Sequence, residues 1–115
     1  MIDRLAARHS SKDFTVLASA VNRIPGLAFA PDHAGIFETT LLAALWPELV
    51  QLSRLSKTPL PADDSDFGDG RHDPTHPIYG VFGSDPRNFH AAQSAPLLEA
   101  AVTFLAQLMV TPKDA

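Results

Sequence analysis

Apolar positions recur along the chain in blocks whose period changes. Ile2, Leu5 and Ala6 share one face of a 3.6-residue repeat, so residues 2–9 read as the end of a helix. Ser10, Ser11, Lys12 and Asp13 follow as a polar turn. Phe14–Val21, FTVLASAV, is apolar on both faces and rich in strand formers, the pattern of a buried strand in a parallel or mixed sheet. Pro25 and Gly26 break it, and Leu27–Ala30 reads as a second short extended piece. Phe37, Leu41, Leu42 and Leu45 then fall on one side of a helix. Trp46 and Pro47 end that helix and open another, with Pro47 and Glu48 suited to a first turn and Leu49, Val50, Leu52 and Leu55 as its apolar face. Leu97, Ala101, Phe104, Leu105 and Leu108 mark a last helix, with Ser94 as a capping residue, Pro96 in the first turn and Pro112 as the stop.

The order helix, strand, helix, helix, loop, helix predicts an α/β protein. One or two strands do not make a stable sheet alone, so the sheet is expected to be incomplete in this chain. Prolines and glycines crowd into residues 59–86, which read as one long irregular loop between packed elements. The chain of 115 residues fits a single domain or part of one.

Charge and composition narrow the function. The net charge of -4 comes with no stripe of Lys and Arg, which speaks against nucleic acid as a partner. No apolar run approaches the roughly 20 residues of a membrane span, and MIDRLAARHS lacks the apolar centre of a signal peptide. The absence of cysteine removes thiol catalysis and fits a reducing compartment; a soluble cytoplasmic protein is the expectation. No G-x-S-x-G or P-loop pattern occurs.

His33, Gly35 and Glu38 are the candidate chemistry. They stand where an extended segment turns into a helix, the place where ligands bind in open α/β sheets. An imidazole there suits proton transfer near neutral pH, and a carboxylate one turn on can orient it or bind a metal. Gly35 leaves room for a substrate or for another stretch of backbone. The same residues also fit a bland reading: Asp32 as a helix cap, His33 on the surface, and Glu38 matched to the helix dipole.

Asp63, Asp64, Asp66, Asp69, His72, Asp73 and His76 are dense in the long loop. DDSDFGDG lacks the closing Glu of a calcium loop, because Pro74 stands at that position. Pro74 and Pro77 deny His72 and His76 a regular helix. A solvated acidic loop is the simpler expectation, with a lid touching the site through Phe67 and Tyr79 as the alternative. His9 and His90 are isolated, Trp46 suits a helix junction, and the Phe104/Leu108 stripe suits a core or an interface.

The stretch His33-Ala34-Gly35-Ile36-Phe37-Glu38-Thr39-Thr40 resembles the His-Ala-Gly-x-x-Glu-Thr-Ser/Thr motif of the creatininase family. LLAALWPELVQLSRL is similar to the family's continuation, and HPIYGVFGSDPRNFHAA looks like its loop into the final helix. The likeness runs from Phe14 onward. It implies the C-terminal half of an α-β-α sandwich and metal-dependent hydrolysis of a non-peptide C–N bond, cyclic amides included, in a small molecule. It implies His33 as the catalytic histidine, and Glu38 as a metal ligand or as an orienter. It also implies a divalent metal, zinc or manganese, whose other ligands belong to the family's N-terminal half: a Glu-x-His pair, an Asp and a Gly-His loop. None of these is in the chain. The resemblance therefore leads us to expect a companion N-terminal half or other subunits, or else a truncated, non-catalytic module acting in binding or assembly.

Overall fold

The structure is a computed structural model, which describes residues 1–110. Helix α1 spans Ile2–His9, α2 spans Ile36–Leu45 and α3 spans Ser94–Val110. Single 3₁₀ turns punctuate the connecting segments at Val21–Arg23, Pro47–Leu49, Leu52–Arg54, Asp69–His72, Pro86–Asn88 and Ala91–Gln93. Helix α2 packs against α3. Phe37 and Leu97 are buried between the elements, and Ala6 is the buried residue of α1.

The α/β sandwich expectation is corrected: among the described residues there is no β-strand, only one isolated antiparallel bridge between His33 and Phe82. Phe14–Ala20 is irregular rather than paired. Its link to the body is local, with the Val16 N–H donating to Ser10 Oγ at 2.9 Å and that hydroxyl donating to Ala6 O at 2.9 Å. The physical reason is the missing neighbour, because strand propensity makes a strand only where another strand completes the ladder. Leu27–Ala30 is likewise unpaired.

Two further expectations change. The second helix after Pro47 is only two 3₁₀ turns, and Leu49 and Trp46 are exposed instead of packed at a junction. Ser94 is already helical (φ -67, ψ -50), and its buried Oγ has no hydrogen-bond partner, so it caps nothing. Pro112 lies outside the described residues. The α3 stripe is as read for Leu97, Ala101, Phe104 and Leu108, whereas Leu105 is exposed.

Ala91–Val110 also corrects the reading of apolar runs. By length and composition it is long and apolar enough to cross a membrane, and 11 % of its apolar window is buried. Glu99 and the two glutamines interrupt the run to the eye without lowering its average hydropathy far enough.

The protein is loosely assembled. Its accessible surface is 8305 Å², against roughly 6,100 Å² for a compact monomer of its mass. Its radius of gyration is 17.7 Å, against about 13 Å for a compact chain of this length. Phe14, Leu17, Leu42, Leu45, Val102 and Leu105 are among the apolar side chains left in solvent.

Candidate functional site

The start of α2 is held by three hydrogen bonds from two residues. The Asp32 carboxylate accepts the Phe37 N–H at 2.8 Å and the Glu38 N–H at 3.1 Å, and Ser84 O accepts the Ile36 N–H at 3.2 Å. Asp32 therefore caps the helix, as read, although Gly35 occupies the cap position itself. These bonds satisfy donors that a helix start leaves open. Gly35 is buried, and a Cβ there would collide with the Asp32 carboxylate and with Ser84 O. Of the two uses considered for this glycine, Ser84 O supplies a close approach of backbone, and the Asp32 carboxylate comes closer still.

His33 sits just before this turn. Its N–H donates to Phe82 O at 2.8 Å and its carbonyl accepts the Phe82 N–H at 2.9 Å. The His33 side chain is 70 % exposed, and its Nδ1 stands 3.9 Å from Glu38 Oε2. Ala34, between them in sequence, has φ 56, and its N–H donates to the same Glu38 oxygen at 2.8 Å. The left-handed turn at Ala34 is what folds the backbone back under the Glu38 carboxylate. The rings of His33 and Phe82 stack at 6.3 Å between centroids, and His72 tilts against Phe82 at 4.5 Å. Thus the structure brings His33, Gly35 and Glu38 together, and adds Phe82 and His72.

The long loop keeps Asp63, Asp66, Asp69, His72 and Asp73 in solvent, as expected of an acidic loop, but it also folds around a core of its own that draws in Asp64 and His76. Arg71 is fully buried at its centre. Its Nε and Nη2 donate to the two Asp64 carboxylate oxygens at 2.9 and 2.7 Å, and its Nη1 donates to Val81 O at 2.9 Å and Gly83 O at 3.1 Å. His76 Nδ1 accepts the Ile78 N–H at 3.2 Å, which leaves Nε2–H to donate to Asp64 Oδ1 at 3.0 Å. The Arg71 guanidinium holds the Asp64 carboxyl below the usual carboxylate range, against the opposing pull of burial. Ile78 and Val81 are buried in the same loop. Phe67 and Tyr79, the expected lid contacts, are exposed.

Arg71 and Phe82 were not singled out in the sequence. A lone arginine inside DDSDFGDGRHD is the one available signal, since a cation among so many carboxylates is well placed to become their shared partner.

An apolar hollow of about 190 Å³ lies between Ser19–Ile24, α2 and α3, with Phe37, Leu41, Leu97 and Phe104 in its walls. His33 and Glu38 do not line it.

Among the described residues no group of three or more His, Asp or Glu side chains converges to hold a metal ion. Glu38 has one oxygen engaged by Ala34, and the Asp64 and Asp66 carboxylates face Arg71. These residues do not form a metal centre by themselves.

The arrangement at the α2 start is a solvent-facing imidazole beside a carboxylate. A family model described as creatininase, creatinine amidohydrolase, matches residues 2–109. The chain belongs to the creatininase family, whose members are typically metal-dependent amidohydrolases. The match takes in α1, which the motif-based likeness starting at Phe14 left out. Neither the curated proteins nor the solved structures gave a match.

Proposed function

We propose that the chain carries the His/Glu part of a creatininase-type site, the part that lies in the C-terminal half of the family's domain. The site acts on a non-peptide C–N bond of a small molecule, and cyclic amides are the class to test first. The observation that supports this reading is the treatment of His33: two backbone hydrogen bonds fix the residue while its ring stays 70 % exposed. Such a ring is available to give a proton to a leaving nitrogen. Glu38, with one oxygen tied to Ala34 and 3.9 Å from His33, fits an orienting carboxylate better than a metal ligand.

The divalent metal the family implies, zinc or manganese, takes its ligands from residues outside this segment, in a longer polypeptide or a companion subunit. The uncovered surface supports a companion. The excess over a compact monomer, about 2,200 Å², is well above the roughly 800 Å² that a standard interface removes from each partner, so a companion would have to cover more than one ordinary contact. A non-catalytic module acting in binding or assembly is the second reading, and the same uncovered surface supports it.

Reconstitution tests the choice. The chain is mixed with a creatininase-family N-terminal half and zinc or manganese, then assayed on a panel of cyclic and linear amides. Turnover that needs both halves and the His33 ring is the expected result. A well-formed complex with no turnover on any amide would leave the binding module as the function.

A further inference from the structure

We propose that Arg71, clamped by Asp64, is a positioning residue for His33. The inference rests on the hydrolytic reading and deepens it. Arg71 Nη1 donates to the carbonyls on both sides of Phe82, at Val81 and at Gly83. Phe82 is the residue whose N–H and carbonyl hold His33, and whose ring lies against the His33 imidazole. Fixing the two flanking peptides fixes the peptide between them, so the guanidinium sets where the His33 backbone lies without touching the imidazole.

The other end of the dyad hangs on the same segment. Gly83 N–H donates to Asp66 O at 2.7 Å, and Ser84 Oγ donates to Asp66 Oδ2 at 3.1 Å. Ser84 O receives the first N–H of α2, the helix that carries Glu38. Asp66 itself stands 3.6 Å from Arg71. His33 and Glu38 are therefore placed by residues 81–84, and those are placed by one arginine.

The chemistry explains why the residue is arginine. The planar fork engages both Asp64 oxygens and still directs an edge at two carbonyls, and a lysine ammonium has no geometry that reproduces both. Asp64 is locked in turn by His76 at 3.0 Å, so the guanidinium has no free rotation. A buried arginine, even beside the Asp64 and Asp66 carboxylates, would be costly if it merely filled space, and carbonyl bonds to both sides of Phe82 give it a directed role.

Amide hydrogen exchange on the full chain tests the inference, comparing the native sequence with Arg71→Lys and Asp64→Asn. In Arg71→Lys the His33, Phe82 and Ile36 amides should exchange about tenfold faster or more, while amides of α2 beyond its first turn and of α3 keep their native rates. The His33 ring-proton shift caused by the Phe82 ring should shrink in the same variant. Asp64→Asn should move both readouts the same way by less. Native protection of the two bridge amides in a folded Arg71→Lys chain would overturn the proposal. If Arg71→Lys loses α2 and α3 protection as well, Asp64→Asn decides. Selective loss at the bridge supports positioning, and either no loss or global loss assigns Arg71 to general stability and ends the proposal. In the assembled enzyme Arg71→Lys should lower kcat about tenfold or more with KM little changed, since misplacing a reacting group by an ångström is that costly. Absence of turnover in every variant, with the exchange pattern as expected, would sink the hydrolytic reading and leave the clamp standing.

Discussion

His33 and Phe82 exchange both backbone hydrogen bonds, at 2.8 and 2.9 Å, though neither lies in a strand. Residues 49 positions apart are thereby joined as a single rung of antiparallel ladder, and the Phe82 ring is left between the imidazoles of His33 and His72. A rung without a ladder is held by its surroundings, and here those are Arg71 on the Phe82 side and the Asp32 cap on the His33 side.

Gly83 is the tight point of that arrangement. Its φ is +142, and a Cβ on it would run into the Asp32 Cβ. Gly80 has φ +78 with open space around the same position. Gly80→Ala should therefore cost about 1–2 kcal/mol from the left-handed backbone alone. Gly83→Ala should cost clearly more and should displace Asp32 from the α2 start. Urea denaturation of the two variants, with α2 amide exchange as the local readout, checks the order.

What the sequence showed and hid follows from how local each cause is. α1, α2 and α3 were legible because their apolar spacing and bounding residues lie within a turn or two, and the Asp32 cap was legible for the same reason. The strand at Phe14–Val21 was not, because its propensity is real but its partner is not in the described chain. The Pro47 helix failed because single turns there, broken at Val50, satisfy the same apolar spacing. The His33/Glu38 pair was found by motif. Its support by Phe82 and Arg71 was hidden, because Phe82 lies 49 residues from His33 and Arg71 reaches it only through Val81 and Gly83, in a loop that carries no period to read.

The loop should loosen in acid. Asp64 is held low by the Arg71 hydrogen bonds, Asp73 by the Thr75 N–H, and Asp85 by Arg87, whose bonds outweigh the upward push of burial. Each carboxyl titrates lower folded than unfolded, so the unfolded chain takes up the proton first as pH falls. The stability these groups add is present in full above the unfolded value of about 4 and drains below it, through the lower folded values. The denaturation midpoint should drop below pH ~4, and Asp64→Asn should flatten part of that drop. An acid limb unchanged in Asp64→Asn would show that the Arg71 pair does not contribute.

The isolated chain should not retain a catalytic metal. A zinc centre needs three or four converging protein ligands, and His33 with Glu38 offers at most two. Dialysis against zinc or manganese followed by elemental analysis should find well under one ion per chain. A stoichiometric, tightly held ion lost in His33→Ala would contradict the divided site.

Alone, the chain should self-associate and bind hydrophobic dye. Val102, Leu105, Met109 and Val110 on α3 and Leu42, Leu45 and Leu49 near α2 are all in solvent, and apolar surface of that extent marks a missing partner. Sedimentation showing a compact monomer would count against this. Partition into lipid vesicles, with α3 protected from exchange, would assign the surface to a membrane instead, in keeping with the length of Ala91–Val110.

In the reconstituted enzyme the three residues at the α2 start should separate by role. His33→Ala should cut turnover by about 10²–10⁴-fold, the usual value of general acid–base help, and leave assembly intact because its ring is mostly in solvent. Glu38→Gln keeps an oxygen for the Ala34 N–H at 2.8 Å, so the local fold should survive while the charge beside His33 is lost. Turnover should fall roughly 10–100-fold, as for the loss of a supporting carboxylate, with metal content unchanged if Glu38 is an orienter. Asp32→Asn looks conservative, since asparagine is a good cap, but the Asp32 carboxylate uses both oxygens, one on Phe37 and one on Glu38. An amide has one acceptor oxygen, so one of those N–H groups would face an NH₂. A stability loss of about 1–2 kcal/mol is expected, with a secondary fall in turnover because the same helix start carries Glu38. Steady-state kinetics, metal content and denaturation midpoints for the three variants distinguish the roles. Near-normal turnover in His33→Ala would reduce the motif to a capped helix start and remove the enzymatic reading of these residues.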